Sequence, residues 1–170
     1  TRSGKAPKLG SHLAAPYVEV HPADAAALGL GLGDLLRLQS NEGRATFRAL
    51  VTDRVAKGQL FAPMHWTGET APSARVDALV PGHVDPVSGQ PESKAAVAAV
   101  TRFDAAWYGF AVSAAPMSPV ADYWALARTT TGYRMELAGR TPVDNWEAAA
   151  RQLFQASEAE AMTVMRKAKA

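Results

Sequence analysis

A chain of 170 residues with 48% hydrophobic composition is long enough to bury a core and is not a disordered tract. Eighteen basic against sixteen acidic residues leave a formal charge of only +2, so the balance implies no nucleic-acid partner. The absence of Cys excludes disulfides, thiolate metal sites, iron–sulfur ligation and Cys nucleophiles within these residues, and no stretch approaches the roughly 18 consecutive apolar residues of a membrane span.

The sequence opens at Thr1 and runs at once into Arg2-Ser3-Gly4-Lys5-Ala6-Pro7-Lys8, which reads as the middle of a loop and so as part of a longer chain. Tyr17-Val18-Glu19-Val20 alternates as a half-buried strand does. A short helix is expected over His21–Gly29, with Pro22 at its first helical position and Gly29 as its stop. Gly31-Leu32-Gly33-Asp34 is a tight turn, Leu35–Ser40 a strand, Asn41-Glu42-Gly43 a turn, and Arg44–Thr52 the hairpin partner, with Ala45, Phe47, Ala49 and Val51 on one face. Val55–Gln59 is another turn, Leu60–Met64 a short buried strand and Ala95–Val100 an apolar strand. Many short strands with Gly-rich turns favour a small closed barrel, because closure removes exposed edges.

The chain after residue 100 differs. Trp107–Ser113 reads as one more strand, Pro116 and Pro119 break it, and Tyr123–Arg128 starts a helical run. Asp144 precedes Trp146, Ala150, Leu153 and Phe154 at helical spacing, and Ser157-Glu158-Ala159-Glu160 is a capping box ahead of Ala161, Met162 and Met165. Two helices with a break near Ser157 are expected, with Lys167 and Lys169 at the negative end of the helix dipole.

Several residues carry chemistry worth weighing. Arg2, Ser3, Lys5 and Lys8 offer cations and a hydroxyl to a phosphate, although such runs are most often solvated basic loops. Gly29, Gly31 and Gly33 do not follow GxGxxG spacing and come after a helix, so they read as a structural turn. His65, Trp66 and Thr67 stand at a strand end where they either line a pocket for a planar heterocycle or belong to the core. In the loop Asp85–Lys94, Gln90 suits the amide edge of a ligand and Lys94 a phosphate or oxo group, while Asp85-Pro86 and Ser88-Gly89 serve equally as turn punctuation. The four His show no metal-ligand spacing and no nucleophile elbow exists, so neither a catalytic residue nor a protein metal ligand is expected.

Taken in order, Thr1–Leu9, Val18-Glu19-Val20-His21-Pro22-Ala23-Asp24-Ala25, Gly33-Asp34, Phe61-Ala62-Pro63-Met64-His65-Trp66 and Asp85-Pro86-Val87-Ser88-Gly89-Gln90-Pro91-Glu92-Ser93-Lys94 resemble the C-terminal domain of molybdenum-dependent nitrate reductases, the assimilatory branch above all, within the molybdopterin oxidoreductase family. The resemblance implies a mainly β fold: a small double-psi β-barrel of six strands with short helices over 1–100, followed by a mostly helical extension over 101–170 that has one strand. It implies that the barrel binds molybdenum bis(molybdopterin guanine dinucleotide), with Arg2, Ser3, Lys5, His65, Trp66, Thr67, Asp77, Gln90, Glu92 and Lys94 as cofactor-binding residues. Any iron–sulfur cluster would sit in the N-terminal portion of the same parent chain. That portion and an electron donor protein would be the partners, and the setting cytoplasmic. Asp77 stands where the family usually has Asn, and Ser93 where a bulkier apolar residue is common. A related formate dehydrogenase and a non-catalytic double-psi barrel interaction module are the alternatives.

Overall fold

Alternation of apolar and polar side chains builds the first sheet, and a run of aromatic residues builds the second. A computed structural model of the chain describes residues 8, 15–94, 96–154 and 165–167. The chain divides into two compact units, one of Tyr17–Met64 with Ala74–Phe103, the other taking in His65–Ser73 and the chain from Asp104.

In the first unit β1 (Tyr17–Val20), β2 (Leu35–Gln39), β3 (Arg44–Val51), β4 (Leu60–Phe61) and β5 (Ala99–Arg102) form one sheet in the order β4-β1-β3-β2-β5. β1 and β3 run parallel, Tyr17 opposite Arg48 and Val20 opposite Val51, and the other neighbours are antiparallel. A parallel pair needs a crossover. The short helix Pro22–Ala27 begins it, its N-cap His21 accepting from the Ala23 N–H through Nδ1 at 3.2 Å. Val18, Val20, Leu35, Leu36, Leu38, Phe47 and Ala49 form the buried interior with Leu79 and Phe103. Gly43 in the β2–β3 turn has no room for a Cβ, which would run into the carbonyl oxygen of Ala78 in the 3-10 turn Val76–Leu79.

Polar groups secure the turns of this unit. Gly29 and Gly33 adopt φ of 62° and 83°, conformations that glycine reaches without strain. Arg102 donates from Nη1 to the Gly29 carbonyl at 2.7 Å and pairs with Asp34 at 3.4 Å, while Arg48 Nη1 donates to the Gly33 carbonyl at 2.7 Å. The glycines thus form a structural turn, as their spacing predicts. Glu19, buried on β1, is matched by Arg54 at 2.7 Å.

The second unit holds β6 (Trp107–Ser113), β7 (Tyr123–Arg128), β8 (Tyr133–Gly139) and β9 (Met165–Lys167), all antiparallel in the order β7-β8-β6-β9. Trp107, Ala111, Trp124, Leu126, Met135 and Leu137 make its core, and the helix Trp146–Phe154 packs Trp146, Leu153 and Phe154 against them. The Trp107 and Trp146 rings meet edge to face, with centroids 5.6 Å apart at 85°. Gly139 lies under the Trp107 indole, where a Cβ would collide with the ring. Asn145 caps the helix, accepting from the Ala148 N–H at 3.1 Å.

Five expectations are corrected by the structure. The stretch from residue 101 is not mostly helical among the described residues, because it contributes a four-stranded sheet and one helix. Tyr123–Arg128 is a strand: Trp124 and Leu126 alternate onto the core face, Tyr123 and Ala125 are buried on the other, and β8 supplies its hydrogen bonds. Leu60–Met64 shrinks to the two residues of β4, with Phe61 52% and Met64 55% exposed, so it is not buried. Met165 and Lys167 belong to β9 instead of a helix, and the β5 pairing starts at Ala99, beyond the 87%-exposed Val97. Ser157–Glu160, Ala161, Met162 and Lys169 lie outside the described residues.

Candidate functional site

In the first unit, the chain from His83 to Glu92 closes on itself as a narrow loop. Val84 bridges Pro91, the Asp85 N–H donates to the Gln90 carbonyl at 2.9 Å, and the Glu92 N–H donates to the His83 carbonyl at 3.0 Å. Inside this neck Asp85 Oδ1 accepts from the N–H groups of Val87 at 3.0 Å and Ser88 at 2.7 Å and from the Ser88 hydroxyl at 2.9 Å. The Ser88 N–H, then its hydroxyl, then the Val87 N–H hold the Asp85 carboxyl below its usual range, since each favours the ionised form. The Gly89 N–H donates to the Asp85 carbonyl at 2.8 Å, and its φ of 68° turns the chain that follows back toward Gln90.

Gln90, Glu92 and Lys94 are all exposed on and just after this loop. The structure therefore gathers these three predicted residues on one ordered projection. They supply an amide that both donates and accepts, a carboxylate and a mobile ammonium, a set suited to a phosphate-bearing heterocycle. Asp77 sits elsewhere in the same unit, on the 3-10 turn, with its side chain 71% exposed and 3.8 Å from Arg75. The Arg75 guanidinium partly answers its charge.

His65, Trp66 and Thr67 belong to the second unit. Thr67 opens a turn in which its N–H donates to the Thr70 hydroxyl at 3.1 Å and its carbonyl accepts from the N–H groups of Thr70 and Ala71 at 3.1 and 2.9 Å. The Thr70 carbonyl then accepts from the Leu126 N–H at 2.7 Å, which ties the segment to β7. The His65 and Trp66 rings lie 6.1 Å apart at 63°. Nδ1 of His65 is buried and has no hydrogen-bond partner, as is Oγ of Ser73. A buried polar atom left unmatched costs about 1–3 kcal/mol, so His65 Nδ1 is a place where a bound polar group or water gains most. Arg2, Ser3 and Lys5 lie outside the described residues.

A groove of about 910 Å³ runs along the helix Trp146–Phe154, lined by Trp107, Asp122, Thr141, Asn145 and Leu153 among others. His65, Trp66 and Thr67 do not line it. Among the described residues no three His, Asp or Glu side chains converge to hold a metal ion, and no helix is long and apolar enough to cross a membrane. The residue that sequence reasoning passed over is Asp85: the Asp-Pro-Val-Ser-Gly order announces a side-chain-capped turn, but which acceptor holds which donor emerges only with the backbone in place.

Residues 1–97, more than half of the chain, match the family described as the Molydopterin dinucleotide binding domain. The nitrate reductase of Klebsiella oxytoca is 37% identical over 147 residues, which cover 86% of this chain and 17% of that protein, so the similarity continues past residue 97. The F420-dependent formate dehydrogenase subunit alpha of Methanocaldococcus jannaschii is 32% identical over 66 residues, 39% of this chain and 10% of that protein. The assimilatory nitrate reductase catalytic subunit of Bacillus subtilis is 28% identical over 78 residues, 46% of this chain and 10% of that protein. The chain spans less than a fifth of the length of these relatives, 17% of the Klebsiella oxytoca protein. The loop that displays Gln90, Glu92 and Lys94 falls within the matched residues, and the chain belongs to the molybdopterin dinucleotide binding domain family.

Proposed function

We propose that this chain is the C-terminal cofactor-binding part of a molybdenum-dependent, assimilatory nitrate reductase. The observation that carries the reading is the His83–Glu92 loop, already closed by hydrogen bonds and displaying Gln90, Glu92 and Lys94 to solvent. Preformed loops lose little entropy when they bind. The sheet of β1–β5, with a single parallel pair among antiparallel neighbours, supports assigning residues 1–100 to a double-psi barrel.

The residues present fit molybdenum bis(molybdopterin guanine dinucleotide). Lys94 would meet an anionic phosphate or an oxo group, Gln90 a donor–acceptor edge, and Nδ1 of His65, buried and unmatched, a polar group of the pterin dinucleotide beside Trp66 and Thr67. Glu92 and Asp77 would accept from its amino groups. Arg2, Ser3 and Lys5 complete the expected set by cradling a phosphate. The bound cofactor supplies the redox centre at which nitrate, two electrons and two protons become nitrite and water. This chain supplies binding, orientation and charge. With no Cys here, an iron–sulfur cluster would take its ligands from the N-terminal portion of the parent chain, and a donor protein would feed electrons to it in the cytoplasm. Without that portion these residues do not catalyse.

The test is made on the full-length parent protein. Lys94→Ala and Gln90→Ala lower bound molybdenum and guanine nucleotide per chain, and nitrate reduction with an artificial donor falls in proportion. A full cofactor load in both variants sinks the reading. The 32% identity to a formate dehydrogenase subunit supports a second reading, which the same preparation decides by whether formate oxidation replaces nitrate reduction. Purified parent protein free of molybdenum in a competent host favours a non-catalytic interaction module.

A further inference from the structure

Asp85 has no place in the ligand set above, yet more hydrogen bonds converge on it than on any of the displayed residues beside it. We propose that Asp85 is a positioning residue for cofactor binding: its carboxylate, without touching the ligand, fixes the backbone of the loop that presents Gln90 and leads into Lys94. The inference rests on the dinucleotide-binding reading of this loop.

The contacts form a relay. Asp85 Oδ1 accepts from the Val87 N–H, the Ser88 N–H and the Ser88 hydroxyl at 3.0, 2.7 and 2.9 Å. The Ser88 hydroxyl, its proton committed to Asp85, accepts in turn from the Gln90 N–H at 3.3 Å. The Asp85 main chain closes the same circuit, donating to the Gln90 carbonyl at 2.9 Å and accepting from the Gly89 N–H at 2.8 Å. Gln90 is thus held at both of its main-chain polar groups, one directly by Asp85 and one through Ser88.

Packing does not substitute for these bonds. Val84 is 56% exposed and Val87 95% exposed, so no apolar contact anchors the tip of the loop. Hydrogen bonds to an ionised acceptor are the stronger kind, and three of them share one oxygen here. Truncating Asp85 frees the segment to sample many conformations, and ordering it again is charged against ligand binding. An Asn at this position keeps an Oδ1 acceptor in the same place and loses only the charge.

The experiment uses the full-length parent protein carrying Asp85→Ala, Asp85→Asn, Ser88→Ala or Gln90→Ala, with two readouts. One is the rate of trypsin cleavage after Lys94 in cofactor-free protein from a host unable to make the cofactor. The other is molybdenum and guanine nucleotide per chain in protein from a competent host. Asp85→Ala is expected to speed cleavage roughly tenfold and to lower the cofactor load several-fold, and Asp85→Asn to restore both to within about twofold of the parent. Ser88→Ala removes the relay to Gln90 and changes both by about threefold, which keeps the test decisive if Asp85→Ala does not accumulate. Unchanged cleavage in Asp85→Ala, with a reduced load in Gln90→Ala, overturns the positioning role alone. Parent-like cleavage in Asp85→Asn with the cofactor lost overturns it too, by making the charge a direct ligand contact. Fast cleavage in Asp85→Ala with a full load in Gln90→Ala overturns the dinucleotide reading of the loop and the positioning role with it.

Discussion

In the sheet of β1–β5 guanidinium groups tie down the turns, Arg48 on the Gly33 carbonyl and Arg102 on the Gly29 carbonyl, whereas in the sheet of β6–β9 indole rings fill the core between strand and helix. The first sheet crosses over to make a parallel pair and needs glycine turns with positive φ, whose carbonyls then need donors. The second is antiparallel throughout, with β8 between β6 and β7, and Trp107 and Trp146 meet edge to face between sheet and helix. A parallel crossover with glycine turns calls for polar donors, and an antiparallel sheet under a helix leaves its interior to the shape of the side chains. Substitutions in the aromatic unit should therefore hurt most.

The largest effect is expected from Trp107→Ala. Removing a buried indole from a core of Trp124, Leu126, Met135 and Leu137 costs about 3–5 kcal/mol, read as a lower denaturant midpoint in urea unfolding followed by far-UV circular dichroism. Next comes Gly139→Ala, whose Cβ must displace the same ring, for roughly 1–3 kcal/mol. If Gly139→Ala proves neutral, the close seat of the indole on β8 is wrong.

The contrast also explains what was legible beforehand. β1, the helix at Pro22, the Asn41–Gly43 hairpin and β6 all announce themselves, since alternation and turn residues agree there with the final pairing. Tyr123–Arg128 does not, because six apolar-rich residues fit either period and only the partner strand decides. The cue was downstream: Thr129-Thr130-Thr131-Gly132 separates two apolar runs, and the Thr129 N–H does donate to the Gly132 carbonyl at 2.8 Å. In the candidate site, Gln90 and Lys94 were readable as ligand-type side chains on a loop. That the histidine at 65 buries an unmatched nitrogen was not, because burial of one atom depends on neighbours remote in sequence.

A smaller loss is expected on the polar side. Arg102→Ala removes the donor to the Gly29 carbonyl and the Asp34 contact, but the side chain is 31% exposed and water replaces part of what is lost. About 1 kcal/mol is expected, well short of Trp107→Ala. Equal midpoint shifts for the two variants would erase the distinction between the units.

The smallest effect belongs to the exposed loop, and it sharpens the comparison because it isolates polar order from packing altogether. The carboxyl of Asp85 titrates below its usual range, held there first by the Ser88 N–H, then by the Ser88 hydroxyl and the Val87 N–H. A depressed carboxylate pKa contributes loop order that is complete above the ordinary Asp range and is lost as pH falls through the lowered value. Protonation then weakens Oδ1 as an acceptor for all three donors together. The amide resonance of Ser88 should accordingly shift along a single titration curve with its inflection below that of a free aspartate. In Asp85→Asn the resonance should stay flat through the same range, because no proton is taken up at that side chain. A Ser88 amide that titrates at the ordinary Asp value would mean that the three hydrogen bonds are not formed in solution, and that the loop, unlike either sheet, has no fixed shape of its own.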